Sequence, residues 1–150
     1  MFRYSFISCA IIFASIWSIE CITENEQKKF HEEILPMLSE CSSKFGYNAE
    51  EIISAMKSGK NEDLDPCFMA CFYKKLEVMN DKGLFDVEKS IESAKKLVSS
   101  ADDTKNIEET ATTCASVNEK TVSDGEKGCE RAKLLEECFR KHEHLFKVNA

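Results

Sequence analysis

Residues 65–85 read Asp65-Pro66-Cys67-Phe68-Met69-Ala70-Cys71-Phe72-Tyr73-Lys74-Lys75-Leu76-Glu77-Val78-Met79-Asn80-Asp81-Lys82-Gly83-Leu84-Phe85. Asp65 can accept a hydrogen bond from the first turn of a helix. Pro66 suits the first helical position, where its missing N–H costs nothing. The pair therefore opens a helix, predicted over 67–78, and Asn80-Asp81-Lys82-Gly83 is the turn that follows it. Cys67 and Cys71 lie four residues apart, one turn above each other on a shared face. Each can then reach a different neighbouring helix, which argues against a bond between the two.

The same periodicity continues on both sides. Upstream, Phe30, Ile34, Leu35, Leu38, Cys41 and Phe45 recur mostly at spacings of three and four, one stripe on a helix over 26–45. Pro36 interrupts that run, so a kink or break is expected near Leu35, and Gly46 suits the stop. Asn48 can cap a second helix to Lys57 with Ile52, Ile53 and Met56 inward, and residues 58–61 end it. Downstream, Asp86 caps a fourth helix carrying Val87, Ile91, Ala94 and Val98. A polar link over 99–103 precedes a fifth, predicted over 106–120 with Ile107, Ala111, Cys114 and Val117. A sixth is predicted over 126–142 through Cys129, Leu135, Cys138 and Phe139. No stretch alternates long enough to support a strand, so the fold class expected is all-α. With 5 glycines and 2 prolines in 150 residues, a turn-rich sandwich or barrel is disfavoured.

Eight cysteines in 150 residues is a density suited to an oxidising compartment. The N-terminus agrees. Met1-Phe2-Arg3-Tyr4 is a short basic start, and an uncharged apolar run from Phe6 to Ile19 precedes Glu20, the geometry of a signal peptide over 1–21. Cleavage after Cys21 removes Cys9 and Cys21 and leaves six pairable cysteines in a domain over 22–150; cleavage after Ser18 would leave a seventh thiol. The formal net charge of −7 is unchanged by losing that leader, which carries one Arg and one Glu. This acidic balance disfavours binding to nucleic acid, and no other run is apolar and long enough to insert stably in a membrane.

The remaining cysteines, Cys41, Cys67, Cys71, Cys114, Cys129 and Cys138, are separated by 25, 3, 42, 14 and 8 residues, and each lies on a predicted helix. Bridges among them would staple helix to helix, and six cysteines permit fifteen pairings that spacing does not choose between. This pattern, the leader, the helical periodicity and the segment from Asp65 to Leu84 together resemble the insect odorant-binding proteins of the six-cysteine, pheromone/general-odorant type. The resemblance spans essentially the whole chain after the leader.

The resemblance implies a compact six-helix fold around a closed apolar cavity, with interlocked disulfides Cys41–Cys71, Cys67–Cys129 and Cys114–Cys138. It implies a secreted carrier of small hydrophobic molecules through sensillum lymph, with a membrane chemoreceptor as a further partner and a monomer or weak homodimer as the state. By offset from the matched cysteines, Ile34, Met69, Tyr73, Met79, Phe85, Ala111, Leu135 and Phe139 are expected to line the cavity. Ile53 and Ile91 join them by helix phase. Met69, Met79 and Leu135 would make an adaptable wall, and the Tyr73 hydroxyl would bond a ligand oxygen. Some relatives release ligand at low pH, so a lid is one reading of the tail. Leu145 and Phe146 would cover the mouth, and His142 and His144 would sense pH. Two alternatives stand beside this reading: the same fold as a scavenger in saliva, haemolymph or the reproductive tract, and a secreted helical signalling or structural protein with a filled core.

Enzymatic chemistry has little to build on. His31, His142 and His144 are the only histidines, and no glycine-rich phosphate loop or zinc-ligand spacing is present. A disulfide-bonded cysteine is no nucleophile. No cofactor and no metal are expected. Acidic pairs such as Glu50-Glu51 and Glu136-Glu137 read as solvated helix faces.

Overall fold

The computed structural model describes residues 28, 30–57, 64–98 and 100–142. The leader, the stop at 58–61, and His144, Leu145 and Phe146 of the lid lie outside the described residues. Within them the fold is all-α: α1 (Leu35–Phe45), α2 (Ala49–Lys57), α3 (Pro66–Lys75), α4 (Val87–Lys95), α5 (Ala101–Cys114) and α6 (Cys129–Lys141). A π-helical turn, Phe30–Ile34, leads into α1, so the backbone changes its winding next to Pro36, whose ring and missing N–H cannot continue an interior helix. The sole β feature among the described residues is an isolated bridge between Met79 and Phe85.

Local chemistry sets the helix ends. Asp65 accepts from the Cys67 N–H at 2.7 Å, Asn48 from Glu50 at 2.8 Å and Asp86 from Lys89 at 3.0 Å. Gly46, at φ 73°, closes α1. Several boundaries differ from the sequence reading: α4 ends at Lys95, short of Val98, and α5 ends at Cys114 rather than at 120, a 3-10 turn continuing from it. α3 stops at Lys75 rather than Val78, and Glu77 then takes a left-handed conformation at φ 58°, turning the chain toward the Met79–Phe85 bridge. α5 begins at Ala101 rather than Asn106. Ser100 caps it by accepting from the N–H groups of Asp102 and Asp103, whose charges also suit a helix N-terminus, so this polar stretch is a first turn and not a link. α6 begins at Cys129, after a short 3-10 turn (Gly125–Lys127) and Gly128 at φ 74°.

The loop between α3 and α4 is fastened at two points. Asn118 grips the backbone of Phe85, its Oδ1 accepting from the N–H at 2.9 Å and its Nδ2 donating to the carbonyl at 2.8 Å. Gly83, at φ 71°, lies against Gly128. A Cβ at Gly83 would come within 2.7 Å of the Gly125 carbonyl oxygen and 3.1 Å of the Gly128 Cα. Only glycine allows that approach.

Three disulfides tie the helices: Cys41–Cys71 joins α1 to α3, Cys67–Cys129 joins α3 to α6, and Cys114–Cys138 joins α5 to α6. One buried cluster runs through the molecule, with Leu38, Phe68, Cys114 and Leu135 wholly inaccessible. Phe68 is met edge-on by Phe45 and Tyr47, at ring centroid distances of 6.0 and 5.3 Å. The guanidinium of buried Arg131 on α6 donates to the carbonyls of Val117 and Lys120, closing the 3-10 turn (Ala115–Glu119) that follows α5. No helix among the described residues is long and apolar enough to cross a membrane.

Candidate ligand-binding site

A cavity of about 610 Å³, mostly apolar, lies between the helices. That volume lies in the ordinary range for small-molecule sites. Ile34 and Met37 form one side, and Leu76 and Val78 come from the end of α3 and the turn after it. Ala94 and Leu97 come from α4 and just beyond it, Ile107 and Ala111 from α5, and Phe139 from α6. Among the described residues the cavity is partly open to solvent. Glu33, Lys75, Glu77 and Lys96 line it with exposed side chains, and the half-buried Arg140 lines it as well. Lys75 is held by Glu40 at 2.7 Å, Lys96 lies 3.5 Å from Glu92, and Glu77 lies 3.8 Å from Lys89, all solvent-facing pairs.

Of the residues expected from sequence, Ile34, Ala111 and Phe139 stand on this wall. Met69, Met79, Phe85 and Leu135 are buried in the core continuous with it, and Ile53 and Ile91 are half-buried against that core. The Phe139 ring links the two layers, edge-on to Tyr73 at 6.1 Å and to Phe85 at 5.8 Å. His142 is half-buried, with Nδ1 2.8 Å from the Cys138 carbonyl oxygen. It also stands beside Cys114 and Cys138, but those sulfurs are spent in a disulfide and offer no thiolate to a metal.

The polar centre of the wall is Glu136, which corrects its reading as part of a solvated face. It is half-buried, lines the cavity, and accepts a hydrogen bond from the buried Tyr73 hydroxyl. The Tyr73 hydroxyl is thus engaged with a side chain of the protein. A sequence signal for Glu136 exists. Ala132, Leu135, Glu136 and Phe139 fall at i, i+3, i+4 and i+7, so Glu136 rides the apolar stripe while Glu137 does not. Burial pushes the Glu136 carboxyl above its usual range, and the Tyr73 hydrogen bond offsets part of that rise. Burial, then the neighbouring Glu136 charge, pushes the Tyr73 phenol well up, so it keeps its proton and acts as a donor. Thr110 also lines the cavity, with a buried hydroxyl that meets no hydrogen-bond partner among the described residues.

The pattern of the PBP/GOBP family matches residues 23–142, all six bridged cysteines included. The chain belongs to the PBP/GOBP family. No curated protein and no solved structure matches it significantly. PBP/GOBP proteins are a binding and carrier family rather than enzymes. In this PBP/GOBP chain the leading feature is accordingly an apolar cavity with a half-buried carboxyl, that of Glu136, in its wall. Leu76, Val78 and Leu97 lie just past helix ends, where periodicity carries no information, and sequence reading missed them as wall residues.

Proposed function

We propose that the protein is an extracellular carrier that binds small hydrophobic molecules reversibly, odorants or pheromones among them, and moves them through an aqueous lymph. In this reading residues 1–21 are a secretion signal. The observation that carries it is the cavity of about 610 Å³, walled mainly by aliphatic and aromatic side chains, in a PBP/GOBP chain. Ile34, Ala111 and Phe139 touch the ligand, while Met69, Met79, Phe85 and Leu135 back the wall. Affinity comes chiefly from apolar surface withdrawn from water, roughly 25 cal/mol per Å² before the costs of association. A protein with a filled core would have no use for such a space.

The test is uptake of an apolar fluorescent dye by the oxidised protein, followed by displacement with long-chain alcohols, aldehydes, esters and small aromatics. Saturable uptake and displacement by members of that panel are expected. Failure of every compound to bind, with no lipid copurifying, overturns the carrier reading.

A further inference from the structure

Where α4 packs against α5, the stripes that line the cavity are not wholly apolar. Ser90, Ser93 and Leu97 fall at i, i+3 and i+7 along α4 and its extension, and Ile107, Thr110 and Ala111 at i, i+3 and i+4 along α5. Elsewhere on the wall, Glu136 is already engaged by the Tyr73 hydroxyl, and the exposed charges of Lys75 and Glu77 meet competing water. Thr110 is also set apart from the other threonines of its helix. Thr104, Thr112 and Thr113 each donate to the carbonyl four residues back, at 3.0, 2.7 and 2.9 Å. Thr110, with 3% of its surface exposed, makes no such bond, and its hydroxyl meets no hydrogen-bond partner among the described residues. A buried hydroxyl so placed costs stability until something supplies the missing partner.

We propose that the Thr110 hydroxyl anchors the polar group of the ligand, so that the cavity favours apolar molecules carrying one oxygen function over hydrocarbons of the same size. The proposal rests on the carrier reading above. A hydroxyl both gives and takes a hydrogen bond. Thr110 therefore donates to the oxygen of an aldehyde or ketone and accepts from an alcohol, and the selection is for the presence of an oxygen rather than its kind. The Thr110 oxygen is shut off from bulk water. A turn about Cα–Cβ, for which a helical threonine has two staggered positions, presents it to the space that the residue lines. Ser90 and Ser93 on the α4 stripe suit the same end of the ligand, and the apolar chain lies toward Ile34, Met37 and Phe139. Water competes poorly at so sheltered a hydroxyl, so one neutral hydrogen bond yields about fivefold discrimination after the ligand oxygen's own desolvation.

The experiment is displacement of a naphthylamine dye from the full oxidised protein by decan-1-ol, decanal and the hydrocarbon 1-undecene. It is run on the native, Thr110→Val and Thr110→Ser proteins, with thermal unfolding of each empty protein alongside. Valine keeps the shape of threonine and nearly its helix propensity while removing the hydroxyl, and serine keeps the hydroxyl. In Thr110→Val the alcohol and the aldehyde should each bind about fivefold more weakly while 1-undecene holds its affinity. The empty Thr110→Val protein should unfold at or above the native temperature, because a partnerless buried hydroxyl has been removed. Thr110→Ser should keep the native ratio of oxygenated to hydrocarbon affinity. A ratio unchanged in Thr110→Val overturns the proposal and leaves the carrier reading standing, as does a ratio lost equally in Thr110→Ser. A lower unfolding temperature for Thr110→Val overturns it too, by showing that the hydroxyl serves the fold. If neither dye nor competitor binds the native protein, the carrier reading falls and this proposal with it.

Discussion

Replacing Cys67 and Cys129 together by alanine opens the longest of the three covalent loops. The residues are 62 apart in sequence, against 30 for Cys41–Cys71 and 24 for Cys114–Cys138. In the chain-entropy description a cross-link acts mainly by restricting the unfolded chain, with a stabilisation that grows with the logarithm of loop length. Separations of 62, 30 and 24 then correspond to about 4.3, 3.6 and 3.4 kcal/mol. The loops interlock, however. With Cys114–Cys138 closed, the shortest route from Cys67 to Cys129 falls from 62 to about 56 residues, which lowers the effect only to about 4.2 kcal/mol. Both cysteines of this pair are half-buried, so little cavity cost is added, whereas Cys41 and Cys114 are fully enclosed.

The assay is urea unfolding of the native and doubly substituted proteins, both otherwise oxidised, followed by circular dichroism. A loss of about 4 kcal/mol is expected. The slope of free energy against urea should also steepen, because a chain released from the cross-link exposes more surface when unfolded. A loss below about 1.5 kcal/mol would refute the reasoning, since the entropy of so long a loop would then be absent. A large loss with an unchanged slope would also count against it, by placing the effect in the folded state.

Gly83→Ala should destabilise the protein by about 2–4 kcal/mol in the same assay, the left-handed penalty being joined by collision with the Gly125 carbonyl. A loss under 1 kcal/mol, as an order-of-magnitude bound, would mean the loop yields freely. Ala111→Phe should fill part of the cavity and lower dye affinity by about tenfold or more while the midpoint of thermal unfolding holds or rises; unchanged affinity would place the dye elsewhere. Glu136→Gln should make stability less dependent on pH. The folded carboxyl is raised, so ionisation costs folding free energy. That cost is complete above the folded pKa and disappears as pH falls below the ordinary carboxylate value of 4.5. The variant should therefore gain on the native protein at neutral pH, with the gap closing on acidification; a gap that widens toward low pH has the wrong sign.

What could be read in the sequence follows from how local each signal is. Asp65, Asn48 and Asp86 cap helices through contacts two or three residues away, and each was legible for that reason. Ser100 caps in the same way, but it sits in a run of small and acidic residues that resembles a link. Spacing left fifteen cysteine pairings open, and the resemblance was needed to choose one, because loop length says nothing about which helices are neighbours. The cavity was the least legible feature. Ile34 and Ala111 line it while Leu38 and Leu135 fill solid core, yet all four are apolar residues at helical spacing. Whether an apolar face meets a neighbour or an empty space depends on helix placement, which periodicity does not encode. Glu136 was missed because a charged pair suggests solvent, although only one member of the pair lies off the apolar stripe.

Keeping an apolar space open works against the packing that would otherwise close it, since each wall side chain forgoes contacts it could make in a filled core. The disulfide pattern is matched to that demand. The bridges link α1 to α3, α3 to α6 and α6 to α5, so the wall residues Ile34, Met37, Ala111 and Phe139 belong to one covalently joined frame or abut it. α4 also contributes to the wall but carries no cysteine. It is held by packing against α5, by the Lys95–Glu108 ion pair at 2.6 Å on the surface, and by the fastened turn that carries Met79 and Phe85. An exposed pair of that kind adds little. The wall elements α1, α3, α5 and α6 are therefore joined by covalent bonds and α4 is held by contacts alone, so a ligand too large for the space would displace α4 first.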